Sequence, residues 1–401
     1  MSAAQGPKPA VPTPSTPRAD RKYEVISADG HVEVPWEMFS DRIPKRFAEY
    51  TPHLVEAEEG AEMWQMKNFR QENHLLCRLD YDEFLPATGR RYHLPDGTLR
   101  PGCGDGAQRL REQDEDGIDA EVLYPSPIVP GFLKKIAPEN KEAYLSIIRA
   151  YNDFLAEDYC SVAPDRLIGT ALMPETGVED ALAEMTRARR KGLACIAPSA
   201  WPNGGMLNKP EDDRFFAAAL ALDMKLAPHQ NFGGVEPRGE SRAVTKSRTF
   251  DAFFRAGGPA PIGQLIANGV FDRFPDIRFY FAETNAGWLP YALDQADEWY
   301  QRWSTYFEVR LRQLPSQYVR EHCRFSFISD RVAITNRYLI GIDLLMWGSD
   351  FPHSISTTPH SRAFLDEVFD GVPANERRRI LVDNVCDFFG LDAARALTPT
   401  P

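Results

Sequence analysis

Eight histidines are spread through 401 residues, and three of them fall at or just beyond the ends of short apolar runs, where chemistry could be placed. The first is in Ser27-Ala28-Asp29-Gly30-His31-Val32-Glu33, directly after the apolar pair Val25-Ile26. On an extended strand, residues two apart project to the same side. Asp29 and His31 therefore offer a carboxylate oxygen and an imidazole nitrogen to one point in space, and both suit a divalent cation. Such a triplet arises easily by chance, so its weight depends on matching ligands elsewhere. They occur: His229 ends the run KLAPH, Glu283 ends RFYFAE, and Asp350 and His353 fall in LLMWGSDFPH. One ion held by several of these groups, with an acid or base beside it, would activate water or polarise a substrate oxygen.

Something must bring these residues to one place. After the first strand, Trp36 to Tyr50 reads as helix or turn broken by Pro44, and about 51–106 reads as an irregular insertion with a small β-hairpin. A helix then closes at Gly117. From there a rhythm sets in, with strands at 120–124, 167–172, 194–198, 225–229, 278–283, 323–329 and 344–350. Amphipathic segments lie between them, at 140–162, 177–190, 212–222, 260–274, 287–303, 331–340, 362–369 and 373–389. Short apolar strands alternating with helices indicate parallel strands buried on both faces. With the opening strand the count is eight, which predicts a (β/α)8 TIM barrel of the α/β class, 21–395, with the insertion after its first strand. A doubly wound sheet is the competing arrangement, but no G-x-G-x-x-G follows the first strand and no Walker motif occurs. In a barrel the strand C-termini share one rim, and the acids and imidazoles above all fall at such ends.

Composition limits the partners. The chain is 43% hydrophobic and 26% charged, with a formal net charge of −12. That charge predicts no nucleic-acid partner and no anionic membrane partner. No stretch is apolar for long enough to span a bilayer, and residues 1–20, MSAAQGPKPAVPTPSTPRAD, read as a disordered tail, as 396–401 read as a short one. Six cysteines are scattered without a C-x-x-C pair, which predicts reduced thiols and a cytoplasmic protein.

DGH after the first strand, PH at the fifth, ETNAGW after the sixth and WGSDFPH at the eighth resemble the amidohydrolase superfamily over roughly residues 22–392. The most similar branch is the amidohydrolase-related one that includes aminocarboxymuconate-semialdehyde decarboxylase and other small-acid decarboxylases. The resemblance implies that Asp29, His31, His229 and Asp350 ligate a metal, that Asp350 also touches the reacting water, and that Glu283 or His353 moves a proton. Three departures stand out. Asp29 replaces the first histidine of the usual H-x-H, which shifts preference toward harder metals such as manganese or iron, with zinc retained as an option. Val34 stands where relatives often carry glutamate before the proline, and Glu33 lies one residue earlier. Glu283 stands where the best-known decarboxylase has histidine. The fourth strand, CIAPSAW, lacks the lysine or glutamate that bridges two metals in binuclear members, so one divalent metal (Zn, Mn or Fe) is expected.

These features predict a metal-dependent hydrolase or non-oxidative decarboxylase acting on a small, carboxylated or aromatic compound. A non-haem iron oxygenase is one alternative, because carboxylate/histidine ligands on iron also activate O2. A catalytically inactive partner subunit of an active paralogue is another. Aromatics follow several strand ends (Tyr124, Trp201, Phe232, Trp288, Phe351), and Trp201 and Trp288 are taken as substrate-binding. Arg331 is taken as a fork for a substrate carboxylate. The aromatic-rich segment 288–307 predicts a homodimer, with a hetero-oligomer as the variant.

Overall fold

The computed structural model describes residues 21–56, 62–72, 92–94, 96–126, 128–205, 207–230, 232, 261–353 and 355–401. The tail 1–20 and large parts of 51–106 and 230–259 lie outside the described residues.

Eight parallel strands form one sheet: β1 (Ile26–Val32), β5 (Ala120–Pro125), β6 (Leu167–Leu172), β7 (Cys195–Ala197), β8 (Lys225–Leu226), β9 (Phe279–Phe281), β10 (Cys323–Phe327) and β11 (Leu345–Trp347), in that spatial order. Their residues are almost all buried, as strands packed on both faces must be. Helices alternate with them on the outside, and the sheet curls until its edges meet. Gly30 bridges Phe351, the Asp350 amide donates to the Asp29 carbonyl (2.8 Å), and the His31 amide donates to the Phe351 carbonyl (2.7 Å). The (β/α)8 barrel is thus closed at the end where the strands finish.

Two glycines make that closure physically possible. A Cβ on Gly348 would fall 2.4 Å from the Asp29 Cβ, and one on Gly30 would fall 2.9 Å from Arg109 Nη2. A side chain at Gly348 would push β1 away, and one at Gly30 would press on the Arg109–Glu121 pair.

Where a hairpin was expected, three antiparallel strands form: β2 (His53–Glu56), β3 (Glu62–Met66) and β4 (Phe69–Glu72). Trp64 of β3 is fully buried, its ring 5.8 Å from Trp36 and its Nε1 donating to the Tyr92 hydroxyl (2.9 Å). Since Trp36 follows β1 directly, the small sheet sits beside the rim. Two helices went unread in the sequence, Ile128–Ile136 and Pro315–His322. The expected helix 140–162 ends at Phe154 and continues as a π turn, Leu155–Tyr159. Residues 397–400 are tied down: the Leu397 amide donates to the Arg21 carbonyl and the Thr398 amide to Asp165. No helix among the described residues is long and apolar enough to cross a membrane.

Candidate active site

Each candidate ligand is held at the rim by backbone. Asp29 and His31 are the fourth and last-but-one residues of fully buried β1. β8 is only two residues long, but the chain runs on extended: the Ala227 amide donates to the Ile196 carbonyl, the Ala282 amide to the Pro228 carbonyl, and His229 bridges Ala282. Glu283 and Asp350 both sit in the left-handed region, at φ 55° and 56°. For residues with a Cβ this costs about 1–2 kcal/mol each, and such strain gathers where side chains must be aimed. The Glu283 amide donates to Ser326 Oγ (2.9 Å), and Asp350 is pinned by its amide bond to β1. The ETNAGW loop is fixed by Asp330, whose carboxylate accepts from the amides of Ala286 (2.9 Å) and Gly287 (2.7 Å).

The side chains converge. His31 Nε2 lies 3.0 Å from Asp350 Oδ1 and 3.7 Å from Asp29 Oδ1. His229 Nε2 lies 3.7 Å from Asp29 Oδ1 and 3.3 Å from Glu283 Oε2. Ligand atoms of Asp29, His31 and His229, and again of Asp29, Glu283 and Asp350, all fall within 4.8 Å of one another. His31 Nδ1 faces the Pro125 carbonyl at 3.3 Å, and a carbonyl only accepts, so the proton belongs on Nδ1 and the lone pair on Nε2.

Both oxygens of Asp29, both of Asp350, His31 Nε2 and His229 Nε2 are buried without a hydrogen bond among the described residues. The close His31–Asp350 approach does not meet hydrogen-bond geometry. Two unsatisfied carboxylates this close are costly unless a cation joins them. The donor set therefore fits one divalent metal, of the harder kind that oxygen-rich sites favour.

The electrostatics agree. Burial, then the charge of Asp350, push the Asp29 carboxyl up to about 8. Burial also acts to raise Asp350, but the charge of His353 and the close approach of His353 and His31 hold it well below the ordinary range. Burial keeps His31 and His229 below their usual value, and hence neutral, as metal ligands must be. Burial and the charges of Asp350 and Asp29 raise Glu283 to about 7.

Sequence reading passed over two residues here. Glu33 is fully buried and accepts from His353 Nε2 at 3.0 Å, while His353 Nδ1 faces Asp350 Oδ1 at 3.0 Å. His353 is thus clamped between two carboxylates; burial works against its charge, yet Asp350 and Glu33 lift it to about 10. The i, i+2 alternation Asp29-His31-Glu33 was the available signal. Arg109 is the other: it forks onto Glu121 (2.6 and 3.0 Å), donates to the Phe351 carbonyl (2.9 Å) and stacks 4.4 Å over the Phe351 ring. It anchors the segment that carries Asp350 and His353.

Of the three residues taken as substrate-binding, none is placed among the ligands. Trp201 is fully buried, edge-on to Phe216 and Phe232 in the aromatic core. Trp288 packs edge-on against Phe325 and donates Nε1 to the carbonyls of Thr284 and Asn285. Arg331 turns outward to Glu367, both largely exposed, because it opens a helix on the barrel's outside. The aromatic that does reach the site is Tyr124, its ring 5.1 Å from His229 and 6.0 Å from His31.

Comparison with known proteins agrees with this architecture. The amidohydrolase family model matches residues 84–391. The chain is similar to 2-amino-3-carboxymuconate-6-semialdehyde decarboxylase of Dictyostelium discoideum, 24% identical over 297 residues, 74% of this chain and 79% of that protein. Among solved structures, an amidohydrolase of Mycobacterium avium subsp. paratuberculosis superposes with a TM-score of 0.68 at 18% identity, covering 92% of this chain and 99% of that one. The 5-carboxyvanillate decarboxylase of Novosphingobium aromaticivorans, complexed with manganese and 4-hydroxy-3-methoxy-5-nitrobenzoic acid, gives 0.57 at 20% identity over 73% and 82%.

Proposed function

Since the chain belongs to the amidohydrolase family, we propose that it is a metal-dependent, non-oxidative decarboxylase acting on a small carboxylated aromatic acid. The observation that carries this reading is the convergence of Asp29, His31, His229 and Asp350, with orphaned donors, beside two groups able to hold a proton, Glu283 and His353. The relatives named above that act on carboxylated compounds support the choice of carboxy-lyase over hydrolase.

Asp29, His31, His229 and Asp350 would hold a divalent metal, which would supply Lewis-acid polarisation of a substrate oxygen. Manganese is the proposed ion, because Asp29 makes the donor set oxygen-rich and the 5-carboxyvanillate decarboxylase holds manganese. His353, clamped by Glu33 and Asp350, keeps Asp350 anionic and fixed in orientation. Glu283, raised to about 7, carries the proton that replaces carbon dioxide at the ring carbon. The C–C bond breaks, its electron pair stays on the ring, and the Glu283 proton forms the new C–H bond. Burial of the ligands keeps bulk water from competing.

The oxygenase and inactive-subunit alternatives have no counterpart among the relatives described. The buried free thiols of Cys103, Cys160, Cys195, Cys323 and Cys386 support a cytoplasmic setting, and the exposed aromatics of helix Leu289–Trp303 support a homodimer. The test is anaerobic incubation of manganese-loaded protein with a panel of carboxylated phenols and of aryl amides and esters. Carbon dioxide released in step with acid consumed supports decarboxylation. Turnover of amides or esters alone, or a requirement for O2, overturns it.

A further inference from the structure

At the opposite end of the barrel from the metal-binding donors, a cavity of about 310 Å³ opens between the starts of β8, β9 and β10 and the helix Asn384–Phe389. Lys225, Arg278, Arg324, Arg379 and Asn384 line it. Two of the cations are already matched: Lys225 pairs with Asp223 (2.5 Å), and Arg379 with Asp343 and Asp387 (both 2.6 Å).

Arg278 and Arg324 are different. Arg278 donates to the carbonyls of Pro275 (2.7 Å) and Ile277 (2.8 Å), and Arg324 to those of Cys323 (2.8 Å) and Arg320 (3.3 Å). Neither has a carboxylate within ion-pair distance among the described residues. Both are half-buried, so water screens them incompletely. Burial, and then the like charges of Arg278 and Arg379, press the Arg324 guanidinium below its ordinary value. Asp223, Asp276 and Asp387 also border the cavity, so the lining is mixed in sign, but none of them pairs with Arg278 or Arg324.

We propose that this cavity is a second, non-catalytic site for a small oxyanion, a phosphate or a carboxylate. The anion bridges Arg278 and Arg324 through their planar donor forks and relieves their mutual repulsion. The strands that start at this cavity, β8 and β9, lead directly to His229 and Glu283, so an occupant braces the elements that present a metal ligand and the proton donor.

Calorimetric titration of the metal-loaded enzyme at constant ionic strength tests this, using inorganic phosphate and, separately, malate. At least one of the two binds saturably at one site per chain; tighter phosphate marks a phosphate-bearing ligand, tighter malate a carboxylate. Arg324→Met and Arg278→Met each weaken that binding at least tenfold, with unchanged circular dichroism in at least one of them. Asp350→Asn leaves it intact. No saturable binding of either anion overturns the proposal. So does binding that survives both arginine substitutions or disappears in Asp350→Asn, which would place the anion at the metal.

Discussion

Asp350 and Glu33 divide the labour around His353. Asp350 is both a ligand candidate and the partner of His31 and His353, at 3.0 Å from each. Removing its charge while keeping its shape, as Asp350→Asn, should lower turnover about 10³-fold, because the variant loses the anionic ligand that would hold the Lewis-acid ion. Metal content, read by elemental analysis, should fall only modestly. Glu33 acts one step further out. Glu33→Gln should lower kcat about 10–100-fold with metal content unchanged, the range typical of groups that orient a neighbour of the metal. An unchanged kcat would remove Glu33 from the account. At this scale the sequence was informative about ligands and poor about their supports. Asp29, His31, His229 and Asp350 are legible because short motifs end strands that periodicity locates. The Glu33–His353 bond joins residues 320 apart; the i, i+2 alternation places Glu33 on the side of Asp29 and His31, but nothing local names His353 as its partner.

Elements explain why the rim holds its shape. The buried Arg109–Glu121 pair ties helix Gly106–Asp116 to β5 and, through the Phe351 carbonyl, to the segment after β11. Arg109→Met would leave Glu121 buried without its main partner. A loss of about 3–5 kcal/mol in urea unfolding is expected. Adding Glu121→Leu should recover much of that loss, since two apolar side chains then replace the pair. Strands were readable because each is a short apolar run. The helices Ile128–Ile136 and Pro315–His322 were not, because each has a proline in its first turn. Proline reads as a breaker, although at a helix start its missing N–H is no loss. Arg331 opens a helix and pairs with Glu367; its position after a strand says nothing about which way a helix's first side chain turns.

At the level of the whole molecule, the apolar surface left outside is concentrated. Tyr291, Trp299, Trp303 and Tyr306 are all exposed, and Trp299 stacks on Trp303 at 6.0 Å. Their spacing puts Tyr291, Trp299 and Trp303 on one helical face. This face is expected to join two copies, so sedimentation should report a dimer, and Trp303→Glu should shift it to monomer without loss of fold. A monomeric wild type would contradict that. The fourth barrel strand, Cys195–Ala197, carries neither lysine nor glutamate to bridge two ions, so a single ion is expected at the rim. The most direct measurement of the central claim is therefore elemental analysis of purified wild type beside His229→Ala. One divalent metal per chain in the wild type, reduced at least tenfold in the variant, is the predicted result. Absence of stoichiometric metal, two ions per chain, or full occupancy in His229→Ala would contradict it.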